Sequence, residues 1–215
     1  MMNFELKIAK ALVFAACFIP LGLLVRDGYT GNLGANPIEV VTRSTGTWTL
    51  IFLLITLTVT PLRKLSGWNG LIKFRRMLGL FAFFYVCLHF TTYIWLDQFF
   101  DFAAIVKDVA KRPFITVGFA SFVLLIPLAV TSTGGMVRRL GKRWQQLHRL
   151  IYLVAIGGVV HYWWLVKADL RLPLIYGAIL AALLGYRLFR AWAPQLWVGV
   201  RPQAPAAIPG NGFGK

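Results

Sequence analysis

The sequence predicts an all-α membrane protein, a bundle of six transmembrane helices with both termini on the cytoplasmic side. Three observations carry that prediction. Of 215 residues, 58% are hydrophobic and 14% charged, where a soluble domain carries about 25% charged residues. The apolar residues gather into runs of roughly 17 to 25, the length that crosses a hydrocarbon core about 30 Å thick. The 23 Lys and Arg against 7 Asp and Glu, a net charge of +16, fall in the segments between those runs. The charge therefore reads as membrane topology, and no nucleic-acid partner is expected.

In chain order the predicted spans are 8–25, 46–62, 74–96, 113–132, 147–166 and 173–191. Each must be helical, because lipid offers no partner for backbone N–H and C=O groups and a helix satisfies them within its own segment. The first run lacks a small-x-small cleavage site ahead of a soluble domain, so it is read as an anchor and not as a signal peptide. Pro113 opens the fourth span and Pro173 the sixth, both tolerated in a first helical turn. Residues 1–192 are read as one membrane domain without internal repeat, and 193–215, rich in Pro and Gly, as a flexible cytoplasmic tail. Cys17 and Cys87 lie inside apolar runs with no CxxC or CxxCH motif, so a disulfide framework, a zinc site and a c-type haem lack support.

Orientation follows from the loop charges, since cytoplasmic loops accumulate Lys and Arg. With the N terminus inside, 16 of the 23 basic residues fall on the inner side; Arg26, Arg43, Lys107, Lys111, Arg112, Lys167 and Arg171 make up the outer seven. Asp27, Glu39, Asp97, Asp101, Asp108 and Asp169, six of the seven acids, fall outside. Trp48, Trp95, Trp163 and Trp164 then belong to an outer aromatic belt, and Trp68, Trp144 and Trp192 to an inner one.

The chemistry is sought among the histidines, because an ionisable residue within a span is costly enough to suggest function. There are three, His89, His148 and His161. The third and fifth spans run in the same direction, which places His89 and His161 at similar depth in the outer half of the bundle. Two neutral imidazoles facing each other across a bundle suit the two axial positions of a b-type haem iron. His148 lies 13 residues before His161, about 20 Å along an ideal helix, at the inner rim. Thirteen steps of about 100° put it well off the face that carries His161, and the third span offers at that level Arg76, which has no lone pair for iron. The inner site is left open between a second haem with another sixth ligand, a five-coordinate haem, and a flavin or quinone. Arg75, Arg76 and Arg149 are candidates there for holding haem propionates or a flavin phosphate.

The segments RRMLGLFAFFYVCLHFTTY (75–93) and TSTGGMVRRLGKRWQQLHRLIYLVAIGGVVHYWWLVK (131–167) resemble the MsrQ (YedZ) family of haem-binding membrane subunits. Through it the chain is similar to the ferric-reductase-like transmembrane domain. The resemblance runs across all six spans and departs from the wider paired-histidine pattern at Arg76. It implies a bacterial inner-membrane cytochrome b with one haem b, or two, that is also associated with FMN. It further implies electrons drawn from the quinone pool or a cytosolic flavin reductase. These would pass outward to a periplasmic molybdenum enzyme, MsrP, that repairs methionine sulfoxide in oxidised proteins. His89, His148 and His161 match the family's haem-associated positions.

With only a short tail after the last span, the chain is expected to act as an electron-transfer subunit whose substrate is reduced on the partner. The acidic outer loops offer a surface that steers a basic partner face. Two alternatives stand beside this reading. One is a stand-alone ferric or quinone reductase. The other is a non-redox transporter or assembly protein whose histidines relay protons, against which the spans hold no acid to complete a relay.

Overall fold

A computed structural model describes residues 2–166 and 169–198, and every regular element among them is helical. The first apolar run forms two helices, α1 (Met2–Ala16) and α2 (Ile19–Tyr29). Pro20 opens α2, and at this junction the Cys17 carbonyl and the Leu21 N–H, four residues apart, are not bonded to each other and need another partner. Tyr85 supplies it: its hydroxyl donates to the Cys17 carbonyl at 2.9 Å and accepts from the Leu21 N–H at 3.2 Å. The ring itself is 1% exposed. Phe14, Phe18, Phe81 and Phe84 pack edge to face around it, an arrangement favoured by the aromatic quadrupole.

The second span is longer than its apolar run. Helix α3 (Pro37–Ser66) begins at Asn36, whose side chain accepts from the Glu39 N–H, and ends at Gly67 in the left-handed conformation with φ +70°. Pro61 lies inside it and leaves the Leu57 carbonyl without its helical donor. A guanidinium from the far end of the chain takes that place, for Arg187 Nη2 donates to the Leu57 oxygen and Nη1 to Leu183. The same guanidinium sits over the Tyr152 ring, 5.4 Å from its centroid.

After a 3₁₀ turn at Asn69–Leu71, α4 (Ile72–Thr92) returns antiparallel to α3 and closes in a wide π-turn at Tyr93–Asp97. The segment read as a plain loop contains α5 (Phe102–Lys111), capped by the Asp101 side chain on the Ala104 N–H. It is amphipathic, with Ile105 buried and Phe102 and Val106 exposed. Helix α6 (Pro113–Val130) forms the fourth span. Two short helices, α7 (Gly134–Leu140) and α8 (Lys142–Leu147), precede α9 (Leu150–Leu165), and α10 (Arg171–Val198) packs across α3 and α9.

The core lies between the α3–α4 and α6–α9 pairs, with Leu53, Leu57, Ala82, Tyr85, Val154 and Ala155 at its centre. Gly157 lets α9 approach α6: a Cβ there would stand 2.1 Å from Ser121 Oγ, an impossible contact. Gly158 instead lines the cavity described below.

Among the described residues five stretches are long and apolar enough to cross a membrane: 4–29, 37–66, 69–97, 113–130 and 171–192. The fifth predicted span, 147–166, is represented by α9, which has 16 residues and is therefore about 24 Å long. Its start is displaced because the chain turns at His148 and Arg149. There the Arg149 N–H bonds three residues back, to Gln146. The backbone of 193–198 continues α10 past Pro194, so the first six residues of the expected tail are helical. The rest of that tail, 199–215, lies outside the described residues.

Candidate metal centre

His89, near the end of α4, and His161, near the end of α9, come together with ring centroids 6.2 Å apart and ring planes at 74°. The same device holds each ring. His89 Nδ1 lies 2.9 Å from the Thr42 carbonyl oxygen on α3, and His161 Nδ1 lies 2.7 Å from the Phe114 carbonyl oxygen on α6. A carbonyl only accepts, so Nδ1 carries the proton in both rings and Nε2 keeps its lone pair free for a metal.

One helical turn beyond each carbonyl stands a glycine against which the ring rests. A Cβ on Gly46 would lie 3.0 Å from His89 Cε1, and one on Gly118 would lie 2.7 Å from His161 Nδ1. In both halves 47 residues separate the carbonyl from the histidine it holds. The α3–α4 and α6–α9 pairs thus repeat one holding geometry, offset by 72 residues (42 to 114, 46 to 118, 89 to 161). This corrects the expectation of no internal repeat. The repetition is hidden in the sequence because Thr42 and Phe114 contribute main-chain atoms, which leave their side chains free to differ.

The two rings line a cavity of about 320 Å³ between the helix pairs. Their separation is what two ligands of one iron require. A metal–imidazole bond is about 2.0 Å and a ring nitrogen stands roughly 1.1 Å from its centroid, so two of each span about 6.2 Å. Among the described residues no group of three or more His, Cys, Asp and Glu is placed to hold a metal ion. Two protein ligands on an iron whose other four positions come from a porphyrin fit this donor set.

The other expected site residues are elsewhere. His148 does not line the cavity; it caps the C-terminus of α8. Its ring stacks on Trp144 at 3.8 Å, Nδ1 is 3.0 Å from the Trp144 carbonyl oxygen, and Nε2 is 3.4 Å from Ser132 Oγ. Because His148 precedes α9, the helical-wheel angle between it and His161 has no meaning. Arg76 lies beside the start of α7 near Gly134 and faces the groove between α1 and α4. Arg75 is half-buried at the level of Tyr152 and Arg187, and Arg149 is exposed at the start of α9. None of the three arginines reaches the His89–His161 cavity.

Sequence reasoning did not single out Gly46, Gly118 or Arg187. The signal for Arg187 was present, as a cation within an apolar helix of a chain that carries a proline, Pro61, within another. Cys17 is buried and Cys87 half-buried, both as free thiols.

Comparison with known proteins agrees with this architecture. The model of the family described as ferric reductase like transmembrane component matches residues 45–159. The chain is 60% identical over 191 residues to the protein-methionine-sulfoxide reductase heme-binding subunit MsrQ of Herminiimonas arsenicoxydans, covering 87% of this chain and 88% of the relative. It is 55% identical to that of Ralstonia nicotianae, over the same shares of each chain. With that of Xanthomonas euvesicatoria it shares 47% identity over 94% of this chain and 95% of the relative. No solved structure matches. The helical architecture, the matched family model and these identities over most of the chain's length together show that this protein belongs to the MsrQ family of ferric-reductase-like membrane proteins.

Proposed function

We propose that this chain is the haem b electron-transfer subunit of a methionine sulfoxide reductase system, with His89 and His161 as the axial ligands of one haem between α4 and α9. The observation that carries this reading is the pair of imidazoles 6.2 Å apart, each with Nδ1 committed to a main-chain carbonyl. The haem, when bound, supplies one-electron chemistry by cycling its iron between ferric and ferrous states. The protein does the rest. Thr42 and Phe114 fix the tautomer and orientation of the ligands, Gly46 and Gly118 give the rings room, and Leu50, Leu53, Phe122 and Leu125 keep the cavity apolar. Low polarity and fixed ligation are the means by which a protein sets such a potential.

The chain crosses the bacterial inner membrane six times in this reading, with both termini cytoplasmic, which the 16 to 7 split of basic residues supports. His89 and His161 then sit towards the periplasm, as suits delivery to a periplasmic molybdenum reductase, MsrP. The donor is the quinone pool or a cytosolic flavin reductase. FMN is associated with the chain by family resemblance, and His148 with Arg75, Arg76 and Arg149 belongs to the side where electrons enter. The test is reconstitution in liposomes with dithionite-reduced haem. Reoxidation that requires both the periplasmic reductase and protein-bound methionine sulfoxide supports the reading; reoxidation indifferent to the reductase contradicts it and favours a stand-alone reductase.

A further inference from the structure

The cavity between the histidines is not uniform along its length. Helices α3 and α6 run in the same direction, and on each the charged residue of the lining comes before the glycine while the lining residues furthest beyond it are apolar. Arg43 stands three residues before Gly46 and Arg112 six before Gly118, whereas Leu50, Leu53, Phe122 and Leu125 follow. On the antiparallel α4, Tyr93 comes one turn after His89 and lies on the same polar side. Two hydroxyls of this lining, Thr42 Oγ1 and Tyr93 Oη, are buried without a hydrogen-bond partner, a state native proteins rarely leave unresolved. The cavity thus has one end with two guanidinium groups and two buried hydroxyls, that of Tyr93 facing the Asp108 carboxylate without a close bond to it.

We infer that Arg43, Arg112, Tyr93 and Thr42 form the seat of the haem's two propionate groups. This rests on the haem reading above and goes beyond it, by fixing which way the macrocycle faces and what holds its charged edge. Carboxylates turned the other way would sit among leucine and phenylalanine side chains at a large desolvation cost. Both arginines are available. Arg43 pairs with Glu39 at 2.7 Å and Arg112 with Asp108 at 3.4 Å, with arginine side chains 60% and 56% exposed. The Arg43–Glu39 pair is exposed on both sides and such pairs contribute little and rearrange easily; in the other pair Asp108 is 18% exposed, and there a guanidinium's five N–H donors, more than one carboxylate uses, leave donors for a second anion. Three carboxylates stand near this end, Glu39 and Asp108 as the partners of the two arginines and Asp97, an exposed carboxylate that accepts from the Gln98 amide at 3.0 Å; among the described residues only Asp97 of the three lines the cavity.

The experiment uses the detergent-purified holoprotein with R43Q, R112Q, the double variant and Y93F, together with the charge-keeping R43K/R112K. Three quantities are read: the midpoint potential, the rate of haem loss to excess apomyoglobin, and the propionate bending mode in the resonance Raman spectrum. An uncompensated propionate charge stabilises ferric iron, so R43Q/R112Q should have a lower potential and lose haem roughly tenfold faster or more. Its low-spin spectrum should be unchanged because the axial ligands are untouched. R43K/R112K should keep the potential near that of the parent, and Y93F should shift the bending mode. A double variant identical to the parent in all three readouts overturns the seat while leaving the haem reading intact. A parent protein without a bis-histidine haem overturns both.

Discussion

Placing a single methyl group on Gly118 should disable the centre, because the geometry leaves no room for it. A Cβ at that position lies 2.7 Å from His161 Nδ1 and 3.0 Å from Cε1, whereas non-bonded atoms settle near 3.5–4.0 Å. In Gly118→Ala the imidazole must therefore retreat by about 0.8 Å. It moves away from α6 and towards the cavity, which stretches the 2.7 Å bond to the Phe114 carbonyl beyond hydrogen-bonding range. It also closes a ring separation of 6.2 Å that is already only as wide as two ligands and one iron require. Loss of the partner that orients a metal-ligating histidine costs about 10–100-fold in affinity. Gly46→Ala should be milder, since its Cβ meets His89 at 3.0 Å and asks for a shift of about 0.5 Å. Gly22→Ala serves as control, because nothing lies within 4 Å of its Cβ and alanine favours the helix. The assay is haem content per chain with the ferric and ferrous absorption spectra. The expected order is parental haem and spectrum in Gly22→Ala, partial loss in Gly46→Ala, and high-spin or absent haem in Gly118→Ala. A Gly118→Ala protein with full haem and a parental low-spin spectrum would refute the reasoning.

Four further outcomes are expected. Arg187→Leu should destabilise the detergent-solubilised protein by about 1–3 kcal/mol, because the Leu57 carbonyl freed by Pro61 loses its donor; thermal or SDS unfolding measures it. Pro61→Ala in the same background should recover part of that loss by restoring the helical N–H. Tyr85→Phe should loosen the α1–α2 junction by a similar amount, seen as faster hydrogen exchange at Leu21, since one hydroxyl serves both the Cys17 carbonyl and the Leu21 N–H. His148→Ala should leave the low-spin spectrum of the His89–His161 centre unaltered, because His148 neither lines that cavity nor bonds to its ligands.

The long helices and the juxtaposition of His89 with His161 were legible because both depend on simple counting. Apolar length sets a span, and equal distance from a charged helix end sets depth. The turn at His148 was not legible. Residues 142–149 contain neither proline nor glycine, and the break arises from the stacking of His148 on Trp144 and from main-chain bonds three residues back. Helix α5 was hidden in a loop by its charges, although Ile105 among Lys107, Asp108 and Lys111 already has the spacing of a surface helix. Arg43 and Arg112 were read only as minor topology charges, and their place at the cavity mouth depends on how two helices distant in sequence pack. Arg187 was equally opaque, since its partner is a carbonyl 130 residues away.

The central claim is that His89 and His161 together ligate one haem b. It is tested most directly by a pyridine haemochrome count and a dithionite-reduced minus oxidised spectrum of the purified parent, His89→Ala and His161→Ala proteins. The account predicts one b-type haem per chain with a low-spin spectrum in the parent, and loss of that low-spin signal in both variants. Full haem content and an unchanged low-spin spectrum in either variant would contradict it.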